Sequence, residues 1–298
     1  MIFSIGDIMI DAYFGRPGPL APRTDTKGSV ELMPGGSAAN FAVWASRLGA
    51  PAAFVGRAGD DFLGAGLRED LVKEGVKPYL ARDAVLGTGR VGVLVSDTGE
   101  RDMVCDRRAN ATLCETDIPY DDIVSSASWV HISGYALFEA APRAAARRAI
   151  DAAAEAGVPV SVDPSSYSFI RAVGAGAFLD MCRGASVILP NLDEGMELTG
   201  SDDPQRIVQF LARHFPVVAL KMGAAGSMGV DLSGRTGESN ARVVVADPVE
   251  AAQVDTNGAG DAFNAGFVVE YLGGRSFEKA LRRGNELGSL VVSRRGAR

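Results

Sequence analysis

VDTNGAGDAFNAG, residues 254–266, sets a polar Asp-Thr-Asn before three small residues, Gly258, Ala259 and Gly260, and then an acid, Asp261. From there the chain runs on as an apolar, helix-like segment, AFNAGFVVEYLGG. A helix start leaves backbone N–H groups without intrahelical acceptors and exposes the positive end of the dipole, a ready site for an anion. Small side chains at 258–260 let a phosphate come close to those amides. Asp261 would repel that anion, so the role that suits it is general base, taking a proton from a hydroxyl that attacks phosphorus. Read alone, the stretch equally describes a glycine-rich turn whose acid complements the helix dipole.

Outward from that stretch the chain alternates. IFSIG, AAFVG, WVHIS, VPVSVD, SVILP, VVALK and RVVVA read as short apolar strands. Amphipathic helices are expected near 37–48, 62–74, 140–156, 175–183, 204–213, 259–273 and 276–294. Strands alternating with helices predict an α/β domain, a mostly parallel sheet with helices on both faces. Two segments break the rhythm. Residues 12–33 are rich in Pro, Gly and Thr, and 87–108 read as a hairpin turning at Asp97-Thr98-Gly99-Glu100. They are expected to form a small β flap, although two ordinary surface excursions would fit the pattern as well.

With 298 residues, 47% of them hydrophobic and 22% charged, the chain can build one large domain or two small ones. Its net charge of −7, without a Lys/Arg block, argues against broad electrostatic binding to nucleic acid or anionic membrane. Cys105, Cys114 and Cys182 are odd in number and widely spaced, which suggests reduced thiols in the cytoplasm rather than a disulfide frame or a zinc site. The opening MIFSIGDIMID carries Asp7 and Asp11 inside an apolar run and reads as a buried strand rather than a signal peptide. His131 lies in an apolar strand and is expected in the core. With only one other histidine, a two-His metal site is excluded.

Further polar residues sit where strands end. Asp11, past the first strand, is placed to accept hydrogen bonds from substrate hydroxyls; an Asx turn is the plainer reading. Gly35-Gly36 precede a helix that Ser37 could cap, with Asn40 one turn in. Asn191 and Glu194 follow SVIL and read either as a capping box or as groups orienting magnesium-bound water. Lys221, Gly223 and Gly226 follow VVALK, where the backbone could pass close to a nucleotide.

Together these elements resemble the ribokinase-like (PfkB) family of carbohydrate kinases. The amino-terminal match is GGSAANFAVWASRLG with GRAGDDFLG at 56–64, and the carboxyl-terminal match is DTNGAGDAFNAGFV at 255–268, roughly 200 residues later. Asn257 stands where that family more often has Thr. The resemblance implies a single ribokinase-like domain over 1–298. It would be three-layered α/β/α with a mostly parallel central sheet, and a β lid at about 12–33 and 87–108 would close over a sugar and serve as a homodimer surface. It implies ATP-dependent phosphorylation of a hydroxyl on a small sugar, with Asp261 as base and Gly258, Ala259 and Gly260 as anion hole. Asp11, Gly35, Gly36 and Asn40 would hold the sugar. Asn191 and Glu194 would serve Mg²⁺ through water, and Lys221, Gly223, Gly226 and Asn285 would lie on the nucleotide side. Asp255 and Asn257 are the candidates for a monovalent cation such as K⁺. Arg108, at the lid base, could pair with an acidic substrate as in 2-keto-3-deoxygluconate kinases. A nucleoside kinase of this fold and a non-catalytic sugar- or nucleotide-sensing protein are the competing readings.

Overall fold

The computed structural model describes residues 1–15, 21–95, 101–234 and 242–298. The strands are β1 (Ile2–Ile5), β2 (Met9–Gly15), β3 (Ser29–Gly35), β4 (Ala52–Gly59), β5 (Lys77–Asp83), β6 (Gly89–Val95), β7 (Arg101–Asp106), β8 (Trp129–Ser133), β9 (Val160–Asp163), β10 (Val187–Ile188), β11 (Val217–Lys221), β12 (Ser227–Asp231) and β13 (Val244–Ala246). The helices are α1 (Ser37–Arg47), α2 (Phe62–Lys73), α3 (Tyr120–Ser126), α4 (Ala140–Ala156), α5 (Tyr167–Val173), α6 (Ala175–Met181), α7 (Leu192–Thr199), α8 (Pro204–Leu211), α9 (Ala259–Leu272) and α10 (Phe277–Val292). The expected turn at 97–100 lies outside the described residues.

Nine strands form the main sheet in the order β13-β12-β11-β10-β9-β8-β1-β4-β5. From β5 to β11 every pairing is parallel; β12 and β13 add an antiparallel edge. Parallel strands are covered on both faces, and the alternation of side chains divides them between two cores. Phe3 and Ile5 of β1, with Ala53 and Val55 of β4, pack under α3, α4 and α8. Ile2 of β1, with Ala52 and Phe54, packs against α1, α2, α9 and α10. The result is the expected three-layer α/β/α arrangement.

The second sheet has four strands in the order β3-β2-β6-β7. It starts earlier than 12, because β2 begins at Met9, opposite Gly35 of β3 and Gly89 of β6. Asp11 is therefore a lid-strand residue rather than part of a loop after β1. Its parity decides its role: Met9, Asp11 and Tyr13 are buried on the inner face, whereas Phe14, Val30, Leu32, Leu94 and Val104 share the exposed outer face.

Candidate active site

The amino end of α9 opens at Gly258, whose φ of 75° is left-handed. A Cβ there would lie 2.4 Å from that of Ala297, so only glycine fits this turn against the carboxyl-terminal segment. No side chain caps the helix. The Ala259 amide donates back to the Thr256 carbonyl at 3.3 Å. The Gly260 and Asp261 amides come next in the first turn, where a helix supplies no acceptor.

Asp261 lies in this first turn, almost fully buried. Its carboxylate accepts from Ser37 Oγ at 2.7 Å and Asn40 Nδ2 at 2.8 Å, both on the first turn of α1. Ser37 thus serves Asp261 rather than capping its own helix. Burial, reinforced by the negative charge of Asp163, pushes the Asp261 carboxyl up to about 7, against the two donors and Lys221. Lys221, at the end of β11, donates to Asp163 Oδ1 at 3.3 Å and to Asn264 Oδ1 at 3.2 Å. Asn264, on α9, donates in turn to Asp163 Oδ2 at 2.8 Å.

On the lid side, Asp11 accepts from Asn257 Nδ2 at 2.9 Å, and the same amide donates to the Tyr13 hydroxyl at 2.9 Å. Burial raises the Asp11 carboxyl, while the Asn257 bond pulls it down. Gly35 stays clear of the cavity wall; a Cβ there would lie 2.5 Å from both Asp11 oxygens, so its bareness makes room for that carboxylate. Gly36 and Asn40 do line the cavity, and Asn40 Oδ1 is buried without a partner.

Arg108 corrects an expectation. Its Nε turns to Asp106 at 2.7 Å, and it is absent from the cavity wall. The buried arginine is its neighbour Arg107, also outside the cavity wall, which forks onto Asp7 at 2.7 and 2.8 Å and reaches Glu139 at 2.5 Å. Arg108 adopts a φ of 45°, the turn that sends the two side chains apart.

On the opposite side, Asn191 and Glu194 form the capping box of α7. Asn191 Oδ1 accepts the Glu194 amide at 2.9 Å, and Glu194 accepts both Asn191 N–H groups at 2.9 and 2.8 Å. The capping-box reading is the one the hydrogen bonds show, and the box also lines the cavity. Burial drives the Glu194 carboxyl upward, helped by Asp163. Gly223, Gly226 and Asn285 line the same side, where Asn285 Nδ2 clasps the carbonyls of Ala246 at 3.1 Å and Asp247 at 2.8 Å. Asp255 accepts the amides of Asn257 at 2.7 Å and Gly296 at 3.1 Å. Among the described residues no cluster of three or more His, Cys, Asp or Glu forms a metal cage.

One cavity of about 1840 Å³ takes in both sides. Single ligand sites span roughly 300–1,000 Å³, so this one has room for two reactants meeting at the start of α9. Sequence reasoning missed Asp163 and Asn264. Asp163 closes the strand VSVD, and the carboxyl-end rule that singled out Asp11 would have found it. Asn264 lies inside the opening stretch, one turn past Asp261.

Helix-start amides beside a buried carboxylate, in a cleft with room for two substrates, define a small-molecule kinase on an α/β fold. Residues 1–298 match the family described as pfkB family carbohydrate kinase, and the chain belongs to that family. It is 32% identical over 274 residues to a fructokinase of Klebsiella pneumoniae, covering 90% of this chain and 83% of that one. An adenosine kinase from Sinorhizobium meliloti superposes with a TM-score of 0.87 at 25% identity, covering 100% of this chain and 95% of that one. The ribokinase of Arabidopsis thaliana complexed with ribose and ATP superposes with a TM-score of 0.82 at 26% identity, covering 99% and 93%.

Proposed function

We propose that the protein transfers the γ-phosphoryl group of ATP to a hydroxyl of a small sugar, bound between the lid's inner face and the start of α9. The observation that carries this reading is the shared first turn of α9, which presents bare amides and the Asp261 carboxylate to one cavity. Asp11 and the free Oδ1 of Asn40 accept hydrogen bonds from sugar hydroxyls and fix the reacting one beside Asp261. Asp261 takes that hydroxyl's proton as its oxygen bonds to the γ-phosphorus. The bond from that phosphorus to the β-γ bridging oxygen breaks, and ADP leaves. The loose, in-line transition state spreads negative charge over the migrating group, and the Gly260 and Asp261 amides face that charge.

The nucleotide lies along Gly223, Gly226 and Asn285. Glu194, its oxygens already engaged by Asn191, fits a role of ordering magnesium-bound water rather than direct ligation. Mg²⁺ supplies charge neutralisation on the donor's phosphates. Asp255, buried in the loop before α9, is the residue that would hold K⁺; the rate with and without K⁺ tests it. The outer lid face fits a homodimer contact. The three cysteines are free, in keeping with a cytoplasmic enzyme, and no described helix is long and apolar enough to cross a membrane. The sugar-acid alternative rested on Arg108, which turns away from the cavity.

The test is acceptor-dependent ADP formation across a panel of free sugars, sugar acids and nucleosides. A neutral sugar should give the highest kcat/KM, and the Asp261→Asn variant should lower the signal by at least ~10²-fold. ADP formation indifferent to every acceptor would sink the reading.

A further inference from the structure

We propose that Lys221 is a catalytic residue whose ammonium meets the phosphoryl group in flight, and that Asp163 and Asn264 are positioning residues that hold it there. This rests on the kinase reading above and adds to it a cation that the chain itself supplies.

The three side chains close a ring. Lys221 Nζ reaches Asp163 at 3.3 Å and Asn264 at 3.2 Å, and Asn264 donates to Asp163 at 2.8 Å, so each member is tied to the other two. Three separate elements supply them: β11, β9 and α9. An ammonium carries three donors, and this ring uses two of them. Gly260 indicates what the rest of Lys221 faces. A Cβ built there would have Nζ as its nearest neighbour, at 3.5 Å. The ammonium therefore looks onto the bare side of the anion-binding turn, where an incoming phosphate would lie. Helix α9 sets both reacting features, since Asp261 and Asn264 are three residues apart and share a face.

Stability does not account for the ring. A nearly buried Lys–Asp pair is weak evidence for stabilisation, and apolar replacements are often neutral or better. Its value lies in the cleft. Fixed positive charge in a water-poor site acts on charge that develops during transfer, without reorganisation at that moment. Lys221 also faces Asp261 electrostatically, opposing Asp163. The remaining contacts of Asp261 are the neutral Ser37 and Asn40, with the Tyr135 hydroxyl nearby.

The experiment uses the full chain with the best acceptor from the panel and compares Lys221→Met, Lys221→Arg, Asn264→Ala, Asp163→Asn and the double variant Asp163→Asn with Lys221→Met. Lys221→Met should lower kcat by about 10²–10³-fold, the scale of losing one charge-stabilising donor, with acceptor KM within about threefold of the parent. Lys221→Arg should recover only a fraction, because the fork cannot fit the ring. Asn264→Ala should fall between the parent and Lys221→Met. The acidic limb of kcat/KM should move up in Lys221→Met and down in Asp163→Asn, which a merely structural role would not produce. Should a single-charge variant fail to fold, the charge-balanced double variant decides by the same kcat loss and Asn264→Ala by a smaller one. A kcat within threefold of the parent in Lys221→Met, or in the double variant, overturns the proposal, as do limbs that stay put. If Asp261→Asn also keeps full activity, the base assignment fails instead, and a parent enzyme whose ADP formation ignores every acceptor sinks the kinase reading.

Discussion

Asn257 and Asp11, 246 residues apart in the chain, are joined by a 2.9 Å hydrogen bond that ties the loop before α9 to lid strand β2. The same amide nitrogen holds the Tyr13 hydroxyl, so one side chain sets two inner-face groups of the lid. Asn257→Thr, which installs the residue its family more often carries there, replaces both N–H donors with one shorter hydroxyl. A lost hydrogen bond to a charged group is worth about 1.5–3 kcal/mol, so acceptor KM should rise by roughly 10- to 100-fold. The KM for ATP should stay within twofold. Steady-state kinetics with each substrate varied in turn check this, and a raised ATP KM would contradict it.

Asp261→Asn should separate activity from stability. The neutral amide can still accept from Asn40, while the Ser37 hydroxyl reverses to accept from it, so the local network survives. Turnover should fall by ~10²–10⁴-fold with the loss of the base. Stability should move the other way. The folded carboxyl is raised above its ordinary 3.8 to about 7, so the native state holds a proton that the unfolded chain has lost. Stability from this group is therefore full below about pH 4 and declines as pH rises toward 7. At pH 8 the Asn variant escapes that penalty and should melt a few degrees higher, an advantage that vanishes near pH 4. In the parent enzyme, kcat/KM should drop on the acidic side with an apparent pKa near 7. Thermal melts at the two pH values and a pH–rate profile provide the measurements.

Gly258 and Gly260 should respond differently to alanine. At Gly258 the left-handed φ and the Ala297 contact make a methyl group strained and clashing, so Gly258→Ala should lose stability and activity together. At Gly260 an added Cβ would meet, among the described residues outside its own helix backbone, Lys221 Nζ alone within 4 Å, at 3.5 Å, so the fold tolerates it. Helix propensity favours alanine there by up to about 1 kcal/mol. The methyl would nonetheless stand where the phosphoryl group approaches the amides, and kcat should fall by at least ~10-fold with Tm unchanged or raised. A Gly260→Ala enzyme with full turnover would remove the anion hole from this turn.

Arg107 and Arg108 form a third contrast. Arg107 and Asp7 are both nearly buried, and removing one partner of such a pair costs about 3–5 kcal/mol. Arg107→Ala should therefore lower Tm substantially and loosen the lid base. Arg108→Ala removes a surface ion pair with Asp106, worth about 0–1 kcal/mol, and should leave Tm and acceptor KM near the parent values. Differential scanning fluorimetry with kinetics distinguishes the two. A large KM rise in Arg108→Ala would restore it to the substrate site.

The central parallel strands were legible because a strand covered on both faces must be apolar throughout, as IFSI and WVHIS are. Strands at or next to a sheet edge can escape that rule. KPYLARD of β5 is interrupted by Pro78 and charges, and SMGVD of β12 reads as a glycine loop because Gly229 packs under Phe277. Helix α7, eight residues long, showed in the sequence only through its capping box. In the site, local motifs pointed to Asp261 and Asn40 because helix geometry is short-range. Partnerships such as Asn257 with Asp11 exist only after the lid folds back over α9. The choice between Arg107 and Arg108 turned on a single left-handed residue, which composition does not reveal.

The lid's outer face yields the last expectation. Phe14, Val30, Leu32, Leu94 and Val104 project from one side of the four-stranded sheet in register, with Val30 and Val104 more than 60% exposed. An apolar sheet face of this kind fits the homodimer contact proposed above. Pairing two copies through it would bury these side chains and brace the inner faces that carry Asp11. A charge at the centre of such a contact is desolvated without a partner, so on this proposal Leu32→Glu should dissociate the pair at micromolar concentration. Sedimentation velocity should then show a single species of about 31 kDa against a doubled mass for the parent. Acceptor KM should rise in the variant while its Tm loses dependence on protein concentration. A parent protein that sediments as a monomer at every concentration tested would rule the contact out and leave this face to another role.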